Sequence, residues 1–540
     1  MREPYIVIAY RGKLWNRFKT WFESHAVFVI SVALSLISVL AFIYYLKNGL
    51  GLAYNDARSH LDIGRRVVEG LKPGLAQLGS VWLPLPHILM VPTIWIDFMW
   101  HTGLAGALSS MIGFVGTGLL IYFFLERFKA GMFGRLVGVA VFVANVNILY
   151  LQSTAMTELL LIGTMTAACY ELLKWFENEE LRHLISAGFW IMLSTLVRYD
   201  GWFLLFVATV LVFGWVLIRK SYSMAEGVTV LFCTLAGFGV FLWFLWNLLI
   251  FKDPLYFAFG PYSAHAQQEQ LQAAGALPTK NNWGLSATMY FYALAYNSGM
   301  FTLFLGALGA IMLWRSRDLS PALRFASLAL LAPLFFNILA LYLGHSVLYI
   351  QGISGETWFN VRYGIMMMPS IAIFIGYLVH RLQNMRWLIV GLLVFVTAFS
   401  FINVDAVTID DGTFGSSQKN VSEVSGWLHD HAADRPGFIF ISAASHDAII
   451  FSSGLPMKKF IHEGTGAYWE SAAKAPDRWA RWIVMRTNSN DDHTWRLMSE
   501  IPGFFNYYDR VRQYPFADIY ELKDEYVSGL NTKPVNIKQK

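Results

Sequence analysis

Four charged clusters in this chain sit where long apolar runs end, and each holds residues that can do chemistry. The first is Tyr54-Asn55-Asp56-Ala57-Arg58-Ser59-His60, just after the first membrane-length run. An ionisable group where a helix leaves lipid is costly and is usually kept for function. A carboxylate such as Asp56 can serve there as a general base or position an acceptor. It can equally cap the helix that follows. The second cluster, Gln152-Ser153-Thr154-Ala155-Met156-Thr157-Glu158, puts Glu158 at the start of another apolar run. A carboxylate suits a helix N-terminus, and Thr154 or Thr157 can cap it. The functional reading brings Glu158 into one cavity with Asp56. The third cluster is Val197-Arg198-Tyr199-Asp200-Gly201-Trp202, held at the membrane edge by its apolar flanks. Arg198 and Asp200 either contact a substrate or simply pair with each other.

The fourth cluster runs from Gly344-His345 through Gln351 to Glu356 and on to Trp358-Phe359-Asn360-Val361-Arg362-Tyr363-Gly364. Arg362 opens a span from its outer side, where a cation opposes both the helix dipole and the usual charge bias. A phosphate would offset that cost, because a guanidinium matches phosphate oxygens. A salt bridge to Glu356 is the plain alternative. Arg58, Arg65, Arg66 and Lys72 also break the charge bias, so they meet anionic headgroups or one of them binds a phosphate. His87 and His345 lack metal-ligand spacing and read as hydrogen-bonding histidines. The segment from Phe251 to Lys280 is rich in Gln and aromatics, which suit sugar faces but also gather at any membrane interface. Asn420-Val421-Ser422 matches a glycosylation sequon.

The elements that must position these groups are mostly apolar. Of 540 residues, 56% are hydrophobic and only 14% charged, where a soluble domain carries about 25% charged. That composition predicts a polytopic membrane protein. The net charge of +5 is small and spread out, which argues against nucleic-acid binding. Cys169 and Cys233 both lie in apolar runs, so neither a disulfide framework nor a cysteine metal site is expected. The first apolar run lacks a small-residue cleavage site after it and reads as a retained helix.

Apolar runs at 26–46, 104–125, 136–151, 159–176, 184–197, 202–218, 226–251, 287–313, 323–343, 363–380 and 387–404 predict about eleven spans. The segment 83–100 is interrupted by Pro84, Pro86, Pro92 and Asp97, and reads as juxtamembrane or re-entrant. Basic residues set the orientation. With the N-terminus inside (Arg2, Arg11, Lys13, Arg17, Lys19), the turns at Arg127/Lys129/Arg135, Lys174/Arg182, Arg219/Lys220, Arg315/Arg317/Arg324 and Arg381/Arg386 all fall inside. The loops 47–103, 152–158, 198–201, 252–286 and 344–362 then fall outside, with the C-terminal 405–540. The chain thus divides into a basic cytoplasmic N-terminus (1–25), a membrane domain (26–404) and a small soluble α/β domain (405–540). In the last, Val421–His431 and His446–Ser453 read as helices, and Gly437–Ser442, Arg481–Arg486 and Ala517–Leu522 as strands. An amphipathic helix from His60 towards Val68 is expected to lie at the interface.

Over about residues 20–400 the chain resembles the GT-C superfamily of membrane glycosyltransferases, and within it family 39, the protein O-mannosyltransferase and aminoarabinose transferase branch. The resemblance rests on Asp56 in the first outside loop and the amphipathic helix after it. Leu83-Pro84-Leu85-Pro86-His87, Glu158 in the second outside loop and Asn360-Val361-Arg362-Tyr363 complete it. It implies a GT-C-like helical membrane fold and an inverting transfer of a sugar from a polyprenyl-phosphate donor to an acceptor hydroxyl at the outer face. Asp56 would be the base, Glu158 would hold acceptor or sugar, and Arg362 with Arg58 would meet the donor phosphate. His60, His87, Arg198, Asp200, His345 and Glu356 would line the substrate site. No cofactor or metal is expected; the partners would be the lipid-linked donor, membrane lipids and a glycan, lipid or protein acceptor. The branch often has adjacent Asp-Glu in the first loop, whereas Asp56 stands between Asn55 and Ala57, so the acceptor does not carry over. The Trp-Trp-Asp-Tyr-Gly motif of oligosaccharyltransferases is missing; the nearest text is Ala467-Tyr468-Trp469-Glu470. The main rival is a transporter or flippase, which calls for midplane charges and inverted repeats. A membrane polysaccharide ligase is a second rival.

Overall fold

The computed structural model describes residues 10–260, 263–273, 275–415 and 420–531. Arg2 lies outside them. The N-terminal half runs through α1 (Tyr10–Lys47), α2 (Asn55–Val68), α3 (Leu85–Ile94), α4 (Asp97–His101), α5 (Leu104–Arg127), α6 (Met132–Val143), α7 (Val146–Leu151), α8 (Glu158–Asn178), α9 (Leu181–Thr195), α10 (Asp200–Arg219), α11 (Tyr222–Ala236) and α12 (Phe238–Phe251). Then come two short helices, α13 (Tyr256–Phe259) and α14 (Ala264–Ala273), followed by α15 (Trp283–Ser298), α16 (Met300–Arg315), α17 (Pro321–Ala326), α18 (Ala332–Leu343), α19 (Met368–Arg381) and α20 (Arg386–Ile402). A 3-10 run, Val361–Met367, leads into α19.

Among the described residues, seven helical segments are long and apolar enough to cross a membrane, or nine if each of two bent pairs is one span. This is fewer than the eleven expected. The expected spans at 136–151 and 287–313 are both broken, and the breaks satisfy each other. Asn145 ends the first: its Oδ1 accepts from the Ile148 backbone N–H at 3.0 Å, capping α7. Its Nδ2 donates to the Asn297 carbonyl at 2.7 Å, beside the 106° bend between α15 and α16. Asn147 Nδ2 donates to the same carbonyl, and Asn297 Nδ2 reaches the Val361 carbonyl at 2.7 Å. Irregular backbone at membrane depth survives only where such partners exist. The expected span at 184–197 is the shorter α9, fifteen residues long.

Close helix contacts need glycine. A Cβ on Gly113 of α5 would lie 2.2 Å from the Leu159 carbonyl oxygen of α8, and one on Gly163 would lie 3.0 Å from the Gly113 Cα. Small residues let membrane helices approach in this way. Gly113→Ala is therefore expected to push α8 off α5, with a destabilisation of about 1–3 kcal/mol, read as a lower Tm in detergent.

The basic turns gather at one end. Arg127 pairs with Glu177 at 3.0 Å and Lys220 with Glu179 at 2.5 Å, while Arg381 and Lys129 both meet Asp318. Glu158 and Asn178 are opposite ends of α8, so Glu158 lies at the other end. There the interrupted segment 83–100 forms the short α3 and α4, which expose Ile88, Leu89, Trp95, Ile96 and Phe98. Pro92 lies inside α3.

Beyond α20, α21 (Val407–Phe414) folds back onto α7 and the 3-10 run. The soluble domain follows, with α22 (Ser422–Ala432), α23 (Ala443–Ser452) and strands β1 (Phe438–Ile441), β2 (Phe460–Ile461), β3 (Ala480–Met485), β4 (Tyr508–Gln513) and β5 (Asp518–Leu522). The sheet order is β2-β1-β3-β5-β4. β1 runs parallel to β2 and β3, while β5 is antiparallel to β3 and β4. Ile439, Ile441 and Val484 on one face and Phe440 and Ile483 on the other are fully buried, as a sheet covered on both faces requires. The two strands the sequence did not announce are β2, only two residues long, and β4, whose polar face is exposed. The domain rests on α2 through α23. Phe451 packs edge-on against Trp100 at 5.9 Å, and Gln77 Nε2 donates to the Gly464 carbonyl at 2.7 Å.

Candidate active site

Members of all four charged clusters meet at the end of the bundle opposite the basic turns. Arg362 is their centre. Its Nη2 lies 2.5 Å from Asp56 Oδ2, its Nε 3.1 Å from Glu158 Oε1 and its Nη1 3.7 Å from Asp411 Oδ2. Arg198 adds a second cation, with Nη1 3.2 Å from the same Glu158 oxygen and Nε 3.4 Å from Asp200. Aromatic faces pack on both guanidiniums: Tyr54 lies 4.8 Å from Arg362 Cζ, and Tyr363 lies 4.9 Å from Arg198 Cζ. Four carboxylates thus surround two guanidiniums.

Exposure separates the members. The side chains of Glu158 and Asp411 are fully buried and Arg362 is 4% exposed, but Asp56 is 35% exposed. Asp56 is thus the carboxylate a reactant can reach. It does not cap α2: the N-cap is Tyr54, and no side chain caps that helix. Nor does a threonine side chain cap α8; Thr157 Oγ1 instead accepts from Arg198 at 3.5 Å. The helix-cap readings of Asp56 and Glu158 therefore give way to ion pairing. Likewise Arg362 pairs with these carboxylates and not with Glu356, which is exposed.

The other candidates are placed as follows. His60 and His87 share a hydrogen bond of 2.8 Å between Nδ1 and Nε2, and Trp82 lies against His60 at 4.3 Å. Burial, helped by the charges of Arg198 and Arg362, pushes His60 down to about 3. Burial holds His87 well below its ordinary value. Both rings are neutral at working pH and act through hydrogen bonds. Arg58 donates from Nε to the Leu52 carbonyl at 3.0 Å. Its burial is opposed by the charge of Asp447 in the soluble domain. Arg65 pairs with Glu69 and Asp97 (2.7 Å) over the Trp100 ring. His345 and Glu356 are not brought to the cluster. Both are exposed, and His345 lies near the charges of Lys280 and His265. Among the described residues neither makes an ion pair with the cluster.

Asp411 and Tyr54 were missed. Asp411 lies in Val407–Phe414, a stretch assigned from sequence to the soluble domain. The available signal was the Asp410-Asp411 pair soon after the last apolar run, of the kind already noted at Asp56.

Asp62, next to the site on α2, is 1% exposed; its Oδ1 accepts from Trp100 Nε1 at 3.3 Å and its Oδ2 has no partner. Burial holds its carboxyl well above the usual range, with Asp447 adding and Arg66 opposing. A carboxyl raised on folding contributes its full stability only below the unfolded value near 4, and that contribution is lost as pH rises towards the folded value. Asp62→Asn removes this loss. Its Tm is expected to exceed the wild type's by a margin that widens from pH 5 upwards, at about 1.4 kcal/mol per pH unit until the folded-state value is reached. A constant margin would refute the assignment.

No family model matches this chain, and no curated protein does. Solved structures do. ArnT from Cupriavidus metallidurans bound to undecaprenyl phosphate aligns with a TM-score of 0.54 and 12% identity, over 94% of this chain and 100% of that one. The apo form of the same protein gives 0.52 and 12%, over 92% and 99%. An oligosaccharyltransferase from Archaeoglobus fulgidus, tethered with an acceptor peptide, gives 0.50 and 11%, over 86% and 70%. At such identities the likeness is one of fold. The chain shares its overall fold with these solved structures, as a helical membrane bundle followed by a small C-terminal sheet domain.

Proposed function

We propose that this chain, built on a GT-C fold, is a membrane glycosyltransferase that takes a sugar from a polyprenyl-phosphate donor and passes it to an acceptor hydroxyl at the outer face of the membrane. The observation that carries the reading is the half-open Asp56 carboxylate fixed 2.5 Å from a buried guanidinium. A base must be reachable by the acceptor and oriented before it arrives. Asp56 takes the proton of the acceptor hydroxyl, whose oxygen attacks the anomeric carbon and inverts it. The bond from that carbon to the phosphate oxygen breaks, and its electron pair leaves with the lipid phosphate. Nη1 is the least engaged nitrogen of Arg362 and is the donor offered to the developing phosphate charge, with Arg58 as a further cation. Glu158 and Arg198 hold Arg362 and the sugar in line, and the neutral His60–His87 pair offers hydrogen bonds to hydroxyls.

The reaction needs no metal in this reading, because Arg362 already stands where a cation would gather these carboxylates. Transfer is expected to survive EDTA. The fold of a protein solved with undecaprenyl phosphate supports the donor class. The test is transfer of label from a panel of polyprenyl-phosphate sugars in membranes containing the protein. Label should move to an acceptor with at least one lipid-linked donor and with no nucleotide sugar. Flipping of the donor without transfer would identify a transporter and overturn the reading.

A further inference from the structure

The reaction above leaves Asp200 and Asp411 without a task, and of the two Asp411 is the one that faces Arg362. It comes from α21, after the last span, which folds back into the membrane domain. Thr408 anchors that return: its backbone N–H and its Oγ1 both donate to Asn147 Oδ1, at 3.0 and 2.8 Å. Tyr54 Oη then donates to the Thr408 carbonyl at 2.8 Å and to Asp411 Oδ2 at 3.1 Å. The same Asp411 oxygen lies 3.7 Å from Arg362 Nη1. Asp411 therefore touches two groups that flank the base: Tyr54, two residues before Asp56, and Arg362, its ion-pair partner.

The arrangement is expensive if it only fills space. Asp411 is fully buried, its Oδ1 has no hydrogen-bond partner, and three other carboxylates already share the two guanidiniums. A buried carboxylate with a free oxygen destabilises, and a neutral side chain of the same shape would serve packing better. Its retention calls for a functional return.

We propose that Asp411 is a positioning residue for the Arg362–Asp56 pair: by holding the Tyr54 hydroxyl and facing Nη1, it fixes the plane of the guanidinium and limits how much of its charge falls on Asp56. The inference rests on the glycosyltransferase reading. Around Asp56 and Arg362 the other charged or titratable groups are Glu158 from α8, Arg198 from the turn before α10, Asp200 from α10, Tyr54 and His60 from α2 and its start, Tyr150 from α7 and Tyr363 from the 3-10 run. Of these, only Asp411 and Glu158 oppose the charge of Arg362 from buried positions.

The test is Asp411→Asn in the full-length protein, assayed with the lipid-linked donor. Asparagine keeps an acceptor for Tyr54 and removes the charge. Melting should be unchanged or higher, the donor KM should hold within about twofold, and kcat should fall about ten- to a hundredfold. With the opposing charge gone, Arg362 acts more fully on Asp56, so the acidic limb of the kcat profile should move to lower pH. A merely structural role would lower the melting point and leave the pH profile in place; that result, or wild-type kcat with a wild-type profile, overturns the proposal. If Asp411→Asn fails to fold, Tyr54→Phe decides, since it removes the hydroxyl that Asp411 holds: a smaller kcat loss at constant KM supports positioning, and full activity refutes it. Absence of transfer by the wild type itself would overturn the glycosyltransferase reading and the positioning role with it.

Discussion

Asp56→Asn should yield a folded, membrane-inserted protein whose sugar transfer falls about 10³-fold, within the usual range for loss of a general base. That is about 4 kcal/mol of transition-state stabilisation. The folded state should tolerate the change, because the Asp56 side chain is 35% exposed and Arg362 keeps Glu158 and Asp411. An exposed or half-exposed ion pair contributes about 0–1 kcal/mol. The loss should fall on kcat, with donor binding little changed, since asparagine still accepts from Nη2 but takes no proton. Asp56→Glu should recover little: a carboxylate displaced by one methylene no longer lies in line with the acceptor. Transfer within a few-fold of wild type in Asp56→Asn membranes would move the base elsewhere.

Arg362→Leu should be the most damaging single change. It leaves the fully buried Asp411 without a cation and the fully buried Glu158 with Arg198 alone. Breaking a buried ion pair on one side costs about 3–5 kcal/mol, because the remaining charge stays unpaired. Little folded protein should accumulate, and what does should melt well below the wild type. Arg362→Lys should fold better yet transfer about 10²-fold more slowly: one ammonium cannot meet three carboxylates in the fixed directions of a guanidinium. The decisive experiment combines Arg362→Leu with Glu158→Gln and Asp411→Asn. Neutralising the stranded carboxylates should restore accumulation without restoring transfer. If transfer returned as well, the guanidinium would be a structural tie only.

The charged part of the site was legible because charge at the end of an apolar run is conspicuous. Asp56, Glu158, Arg198, Asp200 and Arg362 each stand at such an end, and the structure gathers all five. What stays hidden in a linear reading is pairing across distance. Asn145 and Asn297 look like isolated polar residues in two spans, yet together they pay for two breaks, and the expected count of spans falls as a result. His345 and Glu356 share a loop with Arg362, but a loop can carry neighbours to opposite sides, and here it leaves them exposed. Asp411 was hidden by the opposite effect: the chain turns soluble in composition before it returns to the membrane domain. In the soluble domain, β1, β3 and β5 were readable as apolar runs between turns, whereas the two-residue β2 and the half-exposed β4 carry too little pattern.

The return of α21 also gives the site an order of birth. As the chain leaves the ribosome, Asp56 and Glu158 come first, and Arg198 with Asp200 follows soon after, so Glu158 has a partner while the early helices are inserting. Arg362 arrives much later, and Asp411 only once the last span has been made. Until then Tyr54 has neither the Thr408 carbonyl nor the Asp411 carboxylate to hold its hydroxyl. The reactive centre is therefore closed by the final pass of the chain through its own membrane domain. A half-made or prematurely ended chain carries Asp56 and Arg362 without the tie through Tyr54 and Asp411.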